Sequence, residues 1–100
     1  MQIHRFNAIK TILRPANLKI LYALKSEKRR WSELEKLMNK RQVSDALNEL
    51  IDMGLVQTDE QRRGLQVYKL YNLTPLGLTA LEKLQELEEV LTQEPLNQED

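Results

Sequence analysis

The stretch Asn39-Lys40-Arg41-Gln42-Val43-Ser44-Asp45-Ala46-Leu47-Asn48-Glu49-Leu50-Ile51-Asp52-Met53-Gly54-Leu55-Val56 decides the fold. Its apolar residues Val43, Ala46, Leu47, Leu50 and Ile51 recur three and four apart, the spacing of one helix face. Asn39 is placed as an N-cap with Gln42 three residues on, so that side chain and backbone satisfy each other's donors in the first turn. Gly54 supplies the left-handed residue that closes a helix. Immediately upstream, Ser32-Glu33-Leu34-Glu35 has the same capping form and starts a short helix carrying Leu34, Leu37 and Met38. Two short capped helices with almost no connection read as a helix-turn-helix, whose second helix is the one presented to a DNA groove.

Downstream, Leu55-Val56-Gln57-Thr58 reads as a short strand and residues 59–64 as a polar turn containing Gly64. Residues 65–73, rich in Val, Tyr and Leu, read as the returning strand. Thr74-Pro75 then caps a last helix, on which Leu76, Ala80, Leu84, Leu87, Val90 and Leu91 cluster with Leu81 at their margin. Residues 92–100 are polar and aperiodic, and are expected to form a disordered acidic tail. Upstream, Phe6, Ile9, Ile12 and Leu13 mark a first helix that Pro15 ends. A second helix begins there with Leu18, Leu21, Tyr22 and Leu24 and fades in the polar run 26–30.

One hundred residues make one domain with a modest core, and 41% hydrophobic against 30% charged residues is ordinary globular composition. The chain has no Cys and a single His, His4, which excludes a disulfide framework, a thiolate nucleophile and multi-residue Cys or His metal sites. No apolar run approaches a membrane span or a signal core, so the expectation is a soluble cytoplasmic protein without cofactor or metal. The net charge of zero conceals an asymmetry. Residues 1–72 hold 14 basic and 8 acidic side chains, +6, while 73–100 hold Lys83 against seven acids, −6. Such a split points to a part that faces a polyanion and an acidic part kept away from it.

The sequence resembles the winged-helix regulators of the MarR, ArsR and HxlR-like kinds, over about residues 16–82. Val43 through Val56 is similar to their recognition helix and its "GLV" exit. Tyr71-Asn72-Leu73-Thr74-Pro75-Leu76-Gly77 is similar to their "Y-x-L-T-x-x-G" pattern, and Leu18-Lys19-Ile20-Leu21-Tyr22-Ala23-Leu24 to their opening helix. The resemblance implies a mainly α fold with a small β-hairpin (α+β), a winged helix-turn-helix with additional terminal helices. It would occupy residues 1–91 as one domain: an N-terminal helix over 1–14, the core over 15–74, and a C-terminal dimerisation helix over 75–91. It also implies that Arg41, Gln42, Ser44, Asp45 and Asn48 face the major groove, where Arg can fork to guanine and Gln or Asn to adenine. Lys40 would touch phosphate, and Arg62 and Arg63 at the wing tip would contact phosphate or a narrow minor groove. Asp45 departs from the usual basic or neutral residue. It either accepts from a cytosine amino group or only complements the helix dipole. The run Lys28-Arg29-Arg30 reads as a solvated loop or as further phosphate contacts, and Trp31 as a core or strand-edge anchor.

One winged module reads too small a site for tight specific binding, so two copies on two half-sites are expected. The apolar residues left over for that contact are Phe6, Ile9 and Leu13 on the first helix and Leu84, Leu87 and Leu91 on the last. The expected function is a homodimeric, sequence-specific regulator on double-stranded DNA, with repression by obstruction as its simplest mechanism. The alternatives are a winged helix used for protein–protein assembly, or a sequence-neutral chromosomal DNA-binding protein. No Gly-rich phosphate loop, nucleophile elbow or paired-His metal motif is present, so an enzyme is not expected. A small-molecule effector is compatible with the resemblance, although no residue cluster names its chemistry.

Overall fold

The computed structural model describes residues 5–93, with side-chain environments from Asn7 onward. The elements run α1 (Arg5–Ile12), α2 (Pro15–Ala23), β1 (Arg29–Arg30), α3 (Trp31–Leu34), α4 (Lys40–Asp52), β2 (Val56–Arg63), β3 (Gln66–Leu73) and α5 (Pro75–Thr92). This is the expected winged helix-turn-helix, with a sheet of three antiparallel strands in the order β1-β3-β2 where the sequence suggested a hairpin alone. The short β1 lies in the run read as a solvated loop, and pairs Arg29 with Tyr71 and Arg30 with Leu70. Two residues carry no periodicity, so only the strand they pair with makes them a strand. The Phe6 side chain, expected at the dimer contact, lies outside the described ones, and most of the expected tail, residues 94–100, lies outside the described residues.

Pro15 opens α2 at its first helical position, where a missing N–H costs no intrahelical bond. Around α4 the local expectations hold. The Gln42 N–H donates to Asn39 Oδ1 at 2.8 Å, and the Asn39 N–H donates back to Gln42 Oε1 at 3.2 Å. At the other end Gly54 (φ +78°) lets its N–H reach Ile51 O, and that of Leu55 reach Leu50 O, each at 2.9 Å: a Schellman closure. The capping box read at Ser32 is displaced. The helix starts at Trp31, and Glu33 takes the returning role by accepting from the Arg30 N–H at 2.9 Å. Pairing of Arg29-Arg30 with β3 brings the helix start forward. Glu35 then serves Trp31, accepting from its indole N–H at 2.5 Å. Leu37 and Met38 follow the helix in a turn.

The core joins Ile20, Leu21 and Leu24 of α2, Leu34 of α3, Val43, Ala46, Leu47 and Leu50 of α4, Leu55, Val56 and Tyr71 of the sheet side, and Leu81 of α5. Leu81, read as marginal, is fully buried, whereas Leu76, Leu87, Val90 and Leu91 of the same broad stripe are exposed. Beyond Val56 every residue of β2 is exposed, so the ladder leaves the core as a wing. The turn expected over 59–64 is only Gly64-Leu65: residues 59–63 continue in register, from Asp59 opposite Leu70 to Arg63 opposite Gln66. Gly64, at φ +60°, supplies the positive dihedral that such two-residue loops need. Wing and helices give a radius of gyration of 16.3 Å, against about 13 Å for a compact chain of this length. Among the described residues no helix is long and apolar enough to cross a membrane.

Candidate nucleic-acid interface

Burial of Val43, Ala46, Leu47 and Leu50 turns the opposite side of α4 to solvent, where Arg41, Asp45, Asn48 and Asp52 form one exposed stripe and Ser44 sits half-buried at its edge. Lys40 and Arg41 occupy the first two helical positions after Asn39. Cations at that end meet the positive pole of the helix dipole, at a cost of about 0.3–1 kcal/mol each. Asp45 offsets part of this for Arg41, its carboxylate lying 3.8 Å from Nε, but both side chains are mostly exposed. Such an exposed i,i+4 pair contributes about 0.3–0.5 kcal/mol and yields readily to a better partner. Gln42 differs from its neighbours on the stripe because its carbonyl oxygen is already committed to the Asn39 backbone. Its amide N–H groups are the donors it can turn to a base edge.

The acids of α4 are not equivalent. Glu49 accepts from Asn17 Nδ2 at 3.0 Å through Oε1 and pairs with Arg14 through Oε2. Asn17, 1% exposed, donates also to Thr11 O at 2.7 Å, so α1, α2 and α4 meet at one polar junction. Nothing in the spacing of the sequence marks this junction. Asn17 beside the apolar residues of the stretch 16–24 is its only trace. Glu49 therefore belongs to the scaffold, which leaves Asp45 and Asp52 as the acids presented outward.

The exit motif has an equally physical basis. Thr74 Oγ1 donates to Gly54 O at 2.6 Å and accepts from the Gly77 N–H at 2.9 Å, while the Thr74 N–H donates to Leu55 O at 3.0 Å. A Cβ at Gly77 would lie 2.0 Å from Leu55 O, so α5 rests directly on the backbone that ends α4. Threonine and glycine three residues apart thus weld the last helix to the end of the second helix of the helix-turn-helix.

On the wing, Arg62 stands opposite Val67 and Arg63 opposite Gln66. Successive strand residues point to opposite faces, so the two adjacent guanidiniums are divided. Arg62 shares the face of Val56, Thr58 and Tyr71, and Arg63 that of Gln61, Tyr68 and Leu70. Between them Leu65 is fully exposed at the tip, a residue that polar-turn reasoning had no means of singling out. Near the root, Lys28 Nζ lies 2.5 Å from Asp59 Oδ2. With the Glu60 N–H also donating to that carboxylate, this holds Asp59 below the usual carboxylate range. Among the described residues no cluster of three or more His, Cys, Asp or Glu could hold a metal.

No protein-family model and no curated protein matches the chain. Solved structures do. A MarR-family protein from Enterococcus faecalis V583 is 26% identical over 93% of both chains, with a TM-score of 0.67. Diamide-treated YodB, a regulator from B. subtilis, is 20% identical over 95% of this chain and 98% of its own, with a TM-score of 0.76. The transcriptional repressor BigR from Xylella fastidiosa is 22% identical over 90% of this chain and 88% of its own, with a TM-score of 0.66. The chain has the winged helix-turn-helix fold of these bacterial transcriptional regulators.

Proposed function

We propose that this protein is a cytoplasmic, non-enzymatic regulator that binds double-stranded DNA in a sequence-dependent way as a homodimer, and represses by occupying a palindromic site. The observation that carries the reading is the placing of Lys40 and Arg41 at the dipole-disfavoured start of an exposed helix face, beside a projecting wing that ends in Arg62 and Arg63. In this reading Arg41, Ser44, Asn48 and the amide of Gln42 meet base edges, Asp45 is freed from Arg41 to accept from a cytosine amino group, and Lys40, Arg62 and Arg63 neutralise phosphates. The terminal helices supply the second copy's contact. Leu87 and Leu91 of α5, Ile9 of α1 and Leu13 just after it are all exposed, an apolar surface that a lone domain would leave in water, with the half-buried Leu84 at its edge.

Selection from a random duplex library, followed by binding of the winning and a scrambled duplex at two salt concentrations, tests this directly. An enriched palindrome supports both regulator and dimer, and its half-site spacing reports the separation of the two copies of α4. Equal affinity for unrelated duplexes would replace it with sequence-neutral coating. Absence of binding at low salt would favour a protein partner, the reading for which Asp45 and Asp52 on the exposed face speak.

A further inference from the structure

The register of the sheet gathers basic groups that are remote in sequence. Arg30 of β1 pairs with Leu70, Gln61 with Tyr68, and Arg63 with Gln66, which puts Arg30, Gln61, Arg63, Tyr68 and Leu70 on the outer face of the sheet, away from Val56 and Tyr71. With Lys28 and the start of α3 these side chains line a cleft of about 550 Å³.

The charges in this cleft do not cancel. Each of its carboxylates is already engaged: Glu27 lies 3.1 Å from Arg29 Nη1, and Glu33 accepts from the Arg30 N–H and lies 3.9 Å from Arg29. Lys28 is held by Asp59. Among the described residues neither Arg30 nor Arg63 has a carboxylate partner. The Arg30 guanidinium sits 5.0 Å above the centre of the Tyr68 ring, a contact that orients its plane while leaving its N–H edge available.

We propose that this outer cleft binds a phosphate group, held by Arg30 and Arg63 with the Gln61 amide as a further donor. Phosphate fits better than carboxylate. A carboxylate presents its two oxygens in one plane, and a single guanidinium fork takes its most favourable edge, whereas a tetrahedral phosphate offers acceptor oxygens in several directions and is readily shared by guanidiniums from two strands. The phosphate comes either from the backbone of a bound duplex, which extends the contact from the tip of the wing to its flank, or from a free phosphorylated molecule. The first source rests on the function proposed above and the second does not.

The test uses the full chain and its variants Arg30→Ala/Arg63→Ala, Arg63→Ala alone, and Lys83→Ala, which removes one charge on α5 as Arg63→Ala does on the wing. Inorganic pyrophosphate at fixed ionic strength is the first probe, read by melting temperature. It is expected to stabilise the wild type and Lys83→Ala but not the double variant. A duplex titrated across a salt series is the second. If the duplex backbone fills the cleft, the slope of log K against log salt flattens by about 1.8 in the double variant, about 0.9 more than in Arg63→Ala alone, whose loss the wing-tip contact already explains. Protection by pyrophosphate with a slope no flatter in the double variant than in Arg63→Ala identifies a free phosphorylated ligand as the occupant. That same slope together with pyrophosphate protection that survives the double substitution, or is absent from the wild type, overturns the cleft. Duplex binding by the wild type in that case leaves the proposed function standing. Arg63 makes no ion pair, side-chain hydrogen bond or ring contact among the described residues, so loss of pyrophosphate protection in its single variant is decisive even if Arg30→Ala disturbs the Tyr68 contact.

Discussion

The side-chain amide of Asn17 donates to Glu49 Oε1 at 3.0 Å, joining the second helix to the middle of the helix that bears the candidate base-reading residues. The same amide holds Thr11 O, at the end of α1. Asn17→Ala therefore strands a carbonyl and a carboxylate oxygen in a poorly hydrated place, and should cost about 1–3 kcal/mol. Urea unfolding measures it. A loss below a few tenths of a kcal/mol would mean that water replaces the amide without penalty.

Two glycines should respond very differently to alanine. At Gly77 the new Cβ meets Leu55 O at 2.0 Å, backbone against backbone, so Gly77→Ala has to displace α5 from the end of α4. About 3 kcal/mol or more is expected, at or above the upper end of overpacking effects. At Gly64 nothing lies within 4 Å and only the positive φ is at stake, so Gly64→Ala should cost about 1–2 kcal/mol. Thermal melts of the two variants side by side check the order.

On DNA, Arg41→Ala should relax preference at one base position by about 1–3 kcal/mol, and Arg62→Ala with Arg63→Ala should weaken every duplex and flatten the salt slope. Competition between single-base variants of a selected site separates the two effects. Equal weakening of all sites by Arg41→Ala would make it a phosphate contact.

Asp59 carries the pH prediction. The hydrogen bond from Lys28, then that from the Glu60 N–H, lowers its pKa below the ordinary carboxylate value of about 3.9. A lowered folded pKa gives stability that is present above the ordinary value and fades as pH falls through that value towards the folded one. The stability difference between wild type and Asp59→Asn should therefore be constant from neutrality to about pH 5 and shrink below about pH 4. A difference that grows on acidification contradicts the assignment. Because both side chains of the pair reach solvent, high salt should reduce the effect as well.

The double variant Leu87→Glu/Leu91→Glu tests the second-copy contact. Both residues are exposed, at 49% and 71%, so the substitutions should leave the domain folded and shift its sedimentation from dimer to monomer at tens of micromolar. A monomeric wild type under the same conditions would remove α5 as the dimer helix.

What the sequence determined by itself is everything that acts within a turn or two of chain: the Asn39–Gln42 cap, the Gly54 stop, Pro15 at the start of α2, and the apolar face of α4. These depend on side chains meeting their own backbone, at spacings set by helix geometry. Tertiary structure decided what depends on register and on the choice between similar faces. The pairing of β1 with β3 moved the start of α3 from Ser32 to Trp31 and brought Arg30 onto Tyr68. The continuous ladder put Arg62 and Arg63 on opposite faces, because a strand has a period of two. On α5 the apolar stripe is wide enough to offer several inward directions. Only the approach of Gly77 to Leu55 selected the one that buries Leu81 and leaves Leu87 and Leu91 for another surface.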